Sequence, residues 1–188
     1  GDVGSGKTMV AAGCVWFAAQ SGWQSALMAP TEILARQHYE NLSPLMGRFG
    51  IRCALLTGAT KAGERREILS GLTDGSIGLC IGTHALLTED VQYRSLGLVV
   101  TDEQHRFGVA QRSALGQKAE HPHMLVLSAT PIPRTLALII YGDLDVSIIN
   151  ELPPGRQKVD TFCVDERYRA RLNGFIRKQV QEGHQVFI

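Results

Sequence analysis

A mostly parallel, doubly wound α/β sheet is the fold this sequence predicts, on two observations. Short β-branched runs alternate with longer segments of helical period, the pattern of successive βαβ units. Several of the short runs are apolar at nearly every position, as strands covered on both faces must be. In order, a first helix is expected over residues 7–20, opening directly after a glycine-rich stretch. Its apolar part, residues 9–19, is broken only by Gly13, falls short of the roughly 18 residues a membrane span needs, and reads as a buried core helix. A strand over 25–29 ends at Pro30-Thr31, which opens a helix over 32–42. A strand over 52–56 runs into Thr57-Gly58, followed by a helix over 62–72 and a strand over 77–81 that leads to Gly82-Thr83-His84. The run Leu98-Val99-Val100-Thr101 reads as a buried strand ending in Asp102-Glu103-Gln104-His105. A helix over 109–117, a strand over 124–127, a helix over 134–141 and a strand over 146–149 complete the alternation. Leu152-Pro153-Pro154-Gly155 breaks it, because two prolines remove two backbone donors and forbid helix. A domain boundary is expected there, dividing residues 1–152 from 153–188, with a strand over 158–164, a helix over 166–182 and the start of a strand over 185–188 beyond it.

Composition narrows the function classes. With 188 residues and 44% hydrophobic content the chain can bury a sizeable core without disulfide or metal staples. Nineteen Lys and Arg balance 18 Asp and Glu, so no basic arm or acidic tail is present, and contacts to nucleic acid must come from local geometry. Cys14, Cys53, Cys80 and Cys163 lie too far apart for a short metal spacing, and each sits in an apolar stretch that suits a buried free thiol. A reducing, cytoplasmic setting without a membrane span or cleavable signal is expected. His121, His123 and His184 have no other ligand at metal spacing and are expected at the surface.

Two constellations carry chemistry. Gly1-Asp2-Val3-Gly4-Ser5-Gly6-Lys7-Thr8 matches G-x-x-x-x-G-K-[ST]. Glycines let successive N–H groups turn onto a phosphate, the following helix adds its positive end, Lys7 reaches the β and γ phosphates, and the Thr8 hydroxyl holds Mg²⁺. Such a loop follows a buried strand, so the chain reads as beginning inside its own first motif, and it stops abruptly within a strand at its other end. The second constellation sets Asp102 and Glu103 at the carboxyl edge of the sheet, where doubly wound folds bind ligands. Asp102 can share the Mg²⁺ with Thr8, while Glu103 can orient and deprotonate an attacking water. Together the two specify a P-loop domain that hydrolyses ATP.

These residues also carry a resemblance. Ala29-Pro30-Thr31-Glu32-Ile33-Leu34-Ala35, Asp102-Glu103-Gln104-His105 and Ser128-Ala129-Thr130-Pro131 resemble motifs Ia, II and III of superfamily 2 helicases. Gly82-Thr83-His84-Ala85-Leu86, the run from Asp102 to Val109, Thr130-Pro131-Ile132-Pro133-Arg134-Thr135 and the run from Tyr141 to Ser147 resemble the RecG family of bacterial branched-DNA helicases. The related Mfd family of transcription-repair coupling translocases typically reads D-E-E-H, so Gln104 favours the former. The resemblance implies a RecA-like first motor domain, truncated at both ends, that uses ATP and Mg²⁺ and acts on replication forks and Holliday junctions in repair and recombination. It implies that Gln104 and His105 link the γ-phosphate to Ser128, Ala129 and Thr130, coupling hydrolysis to movement. It implies DNA contacts at Pro30, Thr31, Thr57, Gly58, Gly82, Thr83 and His84, where turns after strands present N–H groups to phosphates. Branched DNA and, for the full-length enzyme, single-stranded DNA-binding protein are the implied partners, in a bacterial cytoplasm. Helicases of this kind place the nucleotide between two motor domains and take an arginine from the second, so the 188 residues alone are expected to be nearly inactive. The alternatives are an Mfd-type duplex translocase and, in a different class, a nucleotide-gated binding module without turnover.

Overall fold

Five apolar runs pair side by side in the computed structural model, which describes residues 1–102, 118, 122–128, 145–151 and 159–187. The elements are α1 (Lys7–Gln20), β1 (Gln24–Met28), α2 (Glu32–Gly47), β2 (Cys53–Leu56), α3 (Ala62–Asp74), β3 (Leu79–Gly82), a 3-10 turn (His84–Leu87), β4 (Leu96–Asp102) and β5 (His123–Leu127). The strands form one sheet in the order β2-β3-β1-β4-β5, and every pairing is parallel. All five residues of β1, the central strand, are buried. Polar Gln24 is tolerated there because its amide donates to the Leu72 and Ile77 carbonyls and accepts from Ser95 N.

Alternation along the strands builds two cores. On one face Leu27, Ile81, Leu98 and Val100 pack with Ala11 and Val15 of α1 and with Ala35, Leu42 and Met46 of α2. On the other, Met28, Leu56, Cys80 and Val99 pack with Ile68 and Leu72 of α3. Helices on both faces of a parallel sheet are the doubly wound arrangement expected. Residues Gly1–Pro153 and Pro154–Ile188 form separate compact units. The second holds a 3-10 turn (Glu166–Tyr168) and α4 (Arg169–Gln181).

Several expectations need correction. Helix α2 does not stop at residue 42 but runs through Pro44 to Gly47. An interior proline costs about 3 kcal/mol, yet Leu42 and Met46 are each only 1% exposed, and burying two such side chains returns roughly 3–6 kcal/mol. Helix α1 is not buried all round: Ala11, Ala12 and Val15 face the core, whereas Met9, Val10, Trp16 and Phe17 are exposed. Residues 146–149, 159–164 and 185–187 are not strands. Alternating apolar residues become a strand only by pairing with a neighbour's backbone, and no described strand pairs with them. Cys163 is exposed, not buried. The helices expected over 109–117 and 134–141 lie outside the described residues, as do residues 158 and 188.

Candidate nucleotide-binding site

The loop before α1 is shaped by its glycines. Gly4 and Gly6 have φ of 80° and 91°, a left-handed backbone that costs an L side chain roughly 1–2 kcal/mol. Gly6 is the N-cap of α1, which has no side-chain cap and no acidic residue in its first turn. The positive end of a 14-residue helix thus has no carboxylate from its own first turn beside it. Lys7 Nζ folds back over the loop and donates to the carbonyls of Gly1 at 2.7 Å and Asp2 at 2.6 Å. Ser5 N donates to the Asp2 carbonyl at 3.2 Å. Ser5 Oγ is buried and has no hydrogen-bond partner among the described residues. An uncapped helix start and an orphaned hydroxyl beside an ammonium are donors that a phosphate group fits, with Lys7 giving up its carbonyl partners to reach it.

Asp102 lies at the same edge of the sheet. Gly1 N donates to Ser128 O at 3.4 Å, and Ser128 follows Leu127, the register partner of Asp102. Leu98 and Val100 face α1 and α2, so strand alternation puts Asp102 on that face too. There its Oδ2 is 2.7 Å from Nε2 of His38, a residue of α2 that is 7% exposed. His38 was not among the sequence candidates. The signal was available: Ala35, His38, Leu42 and Met46 form the buried stripe of α2, and a histidine on an apolar stripe needs a partner.

The turns expected to hold DNA follow three adjacent strands. Register aligns Met28 and Leu56 with Gly82, so the residues after β1, β2 and β3 share one edge. Thr31 is the N-cap of α2, its Oγ1 accepting from Leu34 N at 3.3 Å. Thr57 O accepts from Thr60 N at 3.2 Å, and Glu32 Oε1 accepts from Ala59 N at 3.2 Å, tying the start of α2 to the turn after β2. Gly58 is exposed in that turn and Pro30 is half-buried beside Thr31. Thr83 opens only a four-residue 3-10 turn, not an α-helix; its Oγ1 is buried without a partner among the described residues, while His84 is exposed. Val3 is exposed and Thr8 half-buried in the first turn of α1. Glu103, Gln104, His105, Ala129 and Thr130 lie outside the described residues. Among the described residues no group of three or more His, Cys, Asp or Glu could hold a metal ion; the Thr8 hydroxyl and the Asp102 carboxylate are oxygen donors of the kind Mg²⁺ takes.

A parallel sheet with flanking helices and a glycine loop at its carboxyl edge defines a RecA-like mononucleotide-binding domain. The chain belongs to the DEAD/DEAH box helicase family, which residues 1–139 match. It is 52% identical, over all 188 residues, to the ATP-dependent DNA helicase RecG of Synechocystis sp., covering 23% of that protein. It is 47% identical over 188 residues to the RecG of Bacillus subtilis, covering 28% of it. A solved structure of RecG bound to a three-way DNA junction superposes with a TM-score of 0.81 at 48% identity, over 97% of this chain and 24% of that one. The chain thus spans about a quarter of the length of the curated relatives it matches. Among the described residues no helix is long and apolar enough to cross a membrane.

Proposed function

We propose that residues 1–152 are the first motor domain of an ATP-dependent branched-DNA helicase of the RecG kind, and that residues 153–188 form the linker and start of the second. The whole enzyme would remodel replication forks and Holliday junctions during repair and recombination in a bacterial cytoplasm. Branched DNA would be its substrate and, on family resemblance alone, single-stranded DNA-binding protein a partner. The observation that carries the reading is the convergence of the uncapped start of α1, Lys7 and Asp102 on one edge of the sheet.

Each residue then has a task. The loop from Gly1 to Gly6 cradles phosphates with its backbone N–H groups. Lys7 exchanges the Gly1 and Asp2 carbonyls for β and γ phosphate oxygens. The Thr8 hydroxyl and the Asp102 carboxylate would hold Mg²⁺. That ion, when bound, neutralises charge developing on the transferred phosphoryl group. Glu103 orients the attacking water and takes its proton. Gln104 and His105, with Ser128, Ala129 and Thr130, transmit the state of the γ-phosphate to the turns at Pro30-Thr31, Thr57-Gly58 and Gly82-Thr83-His84, which hold DNA phosphates without reading bases.

The test separates binding from chemistry in the intact enzyme. Lys7→Ala and Glu103→Gln should each nearly abolish ATP hydrolysis, but only Lys7→Ala should weaken nucleotide binding markedly. A Glu103→Gln enzyme that loses nucleotide binding and keeps its turnover per bound ATP would show that the base is misassigned.

A further inference from the structure

The His38–Asp102 contact is built, not incidental. The two side chains are 9% and 14% exposed, and Nε2 stands 2.7 Å from Oδ2. An ionised carboxylate only accepts, so the nitrogen facing it carries the proton. In a poorly solvated setting such a charge-assisted bond is stronger and more directional than in water. Packing alone does not account for the residue, because the stripe of Ala35, Leu42 and Met46 would be served better by an aliphatic side chain that adds no polar atom to the core.

We propose that His38 is a positioning residue: its Nε2–H fixes the Asp102 carboxylate at the end of β4 and ties that carboxylate to α2. The inference rests on the reading of Asp102 as a Mg²⁺ ligand and adds what orients it. The other end of α2 explains why the link would matter. The helix opens at Thr31, two turns before His38 and roughly 10 Å along its axis. Its Glu32 also accepts from Ala59 N in the turn after β2, so α2 begins on two of the turns assigned to DNA. A displacement of α2 at those turns would reach the Asp102 carboxylate through His38.

The experiment measures binding of a fluorescent, non-hydrolysable ATP analogue to the intact enzyme with and without Mg²⁺. His38→Ala, His38→Gln and Asp102→Asn are compared with the wild type. Affinity without Mg²⁺ should stay within about twofold in both His38 variants, which also reports that they fold. The gain on adding Mg²⁺ should fall about tenfold in His38→Ala, the lower end of what loss of an outer-shell partner costs a metal site. His38→Gln should recover most of it, because its amide can donate to the same carboxylate. Stimulation of ATPase by DNA should fall and recover in parallel. A His38→Ala enzyme with the full Mg²⁺-dependent gain, whatever its melting temperature, would overturn the proposal, as would a Gln variant no better than Ala. Asp102→Asn separates the two readings: if it keeps the Mg²⁺-dependent gain, the ligand assignment falls and takes the proposal with it. Loss of the gain there, with none in His38→Ala, defeats the positioning role alone.

Discussion

At Gly82 the backbone of β3 passes so close to β2 that an added Cβ would overlap the Leu56 carbonyl oxygen. A carbonyl held in a sheet cannot swing aside, so Gly82→Ala should destabilise the domain by about 1–3 kcal/mol, read as a lower midpoint in urea. The same change at Gly13, inside α1 with nothing within 4 Å of its Cβ position, should raise stability by about 0.5–1 kcal/mol. Cys80 offers a second contrast. It is buried against Tyr93, and burial pushes its thiol up to about 12. Near neutral pH the thiol would stay protonated and unreactive while the fold is closed. A thiol reagent should therefore label exposed Cys163 quickly and Cys80 only once the fold opens; rapid labelling of native Cys80 would contradict the core described here. Residues of this kind differ in how legible they are. Asp102 announces itself by following an apolar strand beside a second acid, whereas His38 looks like any helical histidine until the buried stripe of α2 is traced and its partner, 64 positions away, is found.

At the scale of elements, strands β1 to β5 were legible because short runs that are apolar at nearly every position mark strands of a parallel sheet, and few other segments show them. The runs at 146–149, 159–164 and 185–187 show the limit of that signal. They have the composition of strands, but pairing is a long-range event that composition does not encode. The end of α2 was hidden for the opposite reason: Ser43-Pro44 is a strong local stop, overridden by the burial of Leu42 and Met46. Its beginning was plain, since Thr31 accepts from Leu34 N as a threonine cap should. Thr31→Ala should cost about 1 kcal/mol in a urea melt. Because Thr31 is also assigned to the turns that hold DNA, the same variant should weaken stimulation of the intact enzyme's ATPase by DNA more than its basal rate; equal losses would mean that Thr31 only caps the helix.

Across the whole molecule, the doubly wound sheet does two things with one edge. Toward β4 and β5 it gathers the loop, Lys7 and Asp102 on the face that carries α1 and α2; toward β2 and β3 it aligns three turns in a row. On the proposed reading, nucleotide and DNA would influence one another through α2, which begins among the turns and reaches Asp102 through His38. The outer face of α1, with Met9, Val10, Trp16 and Phe17 exposed, eluded the sequence because a helix apolar all round gives no sign of which side is covered. The central claim, a nucleotide site coupled to branched DNA, is tested most directly by the ATPase rate of the intact enzyme with forked, linear duplex and single-stranded DNA of equal length. Forked DNA should give the largest stimulation, and Lys7→Ala should remove it. Equal stimulation by linear duplex, or none by any DNA, would contradict the account.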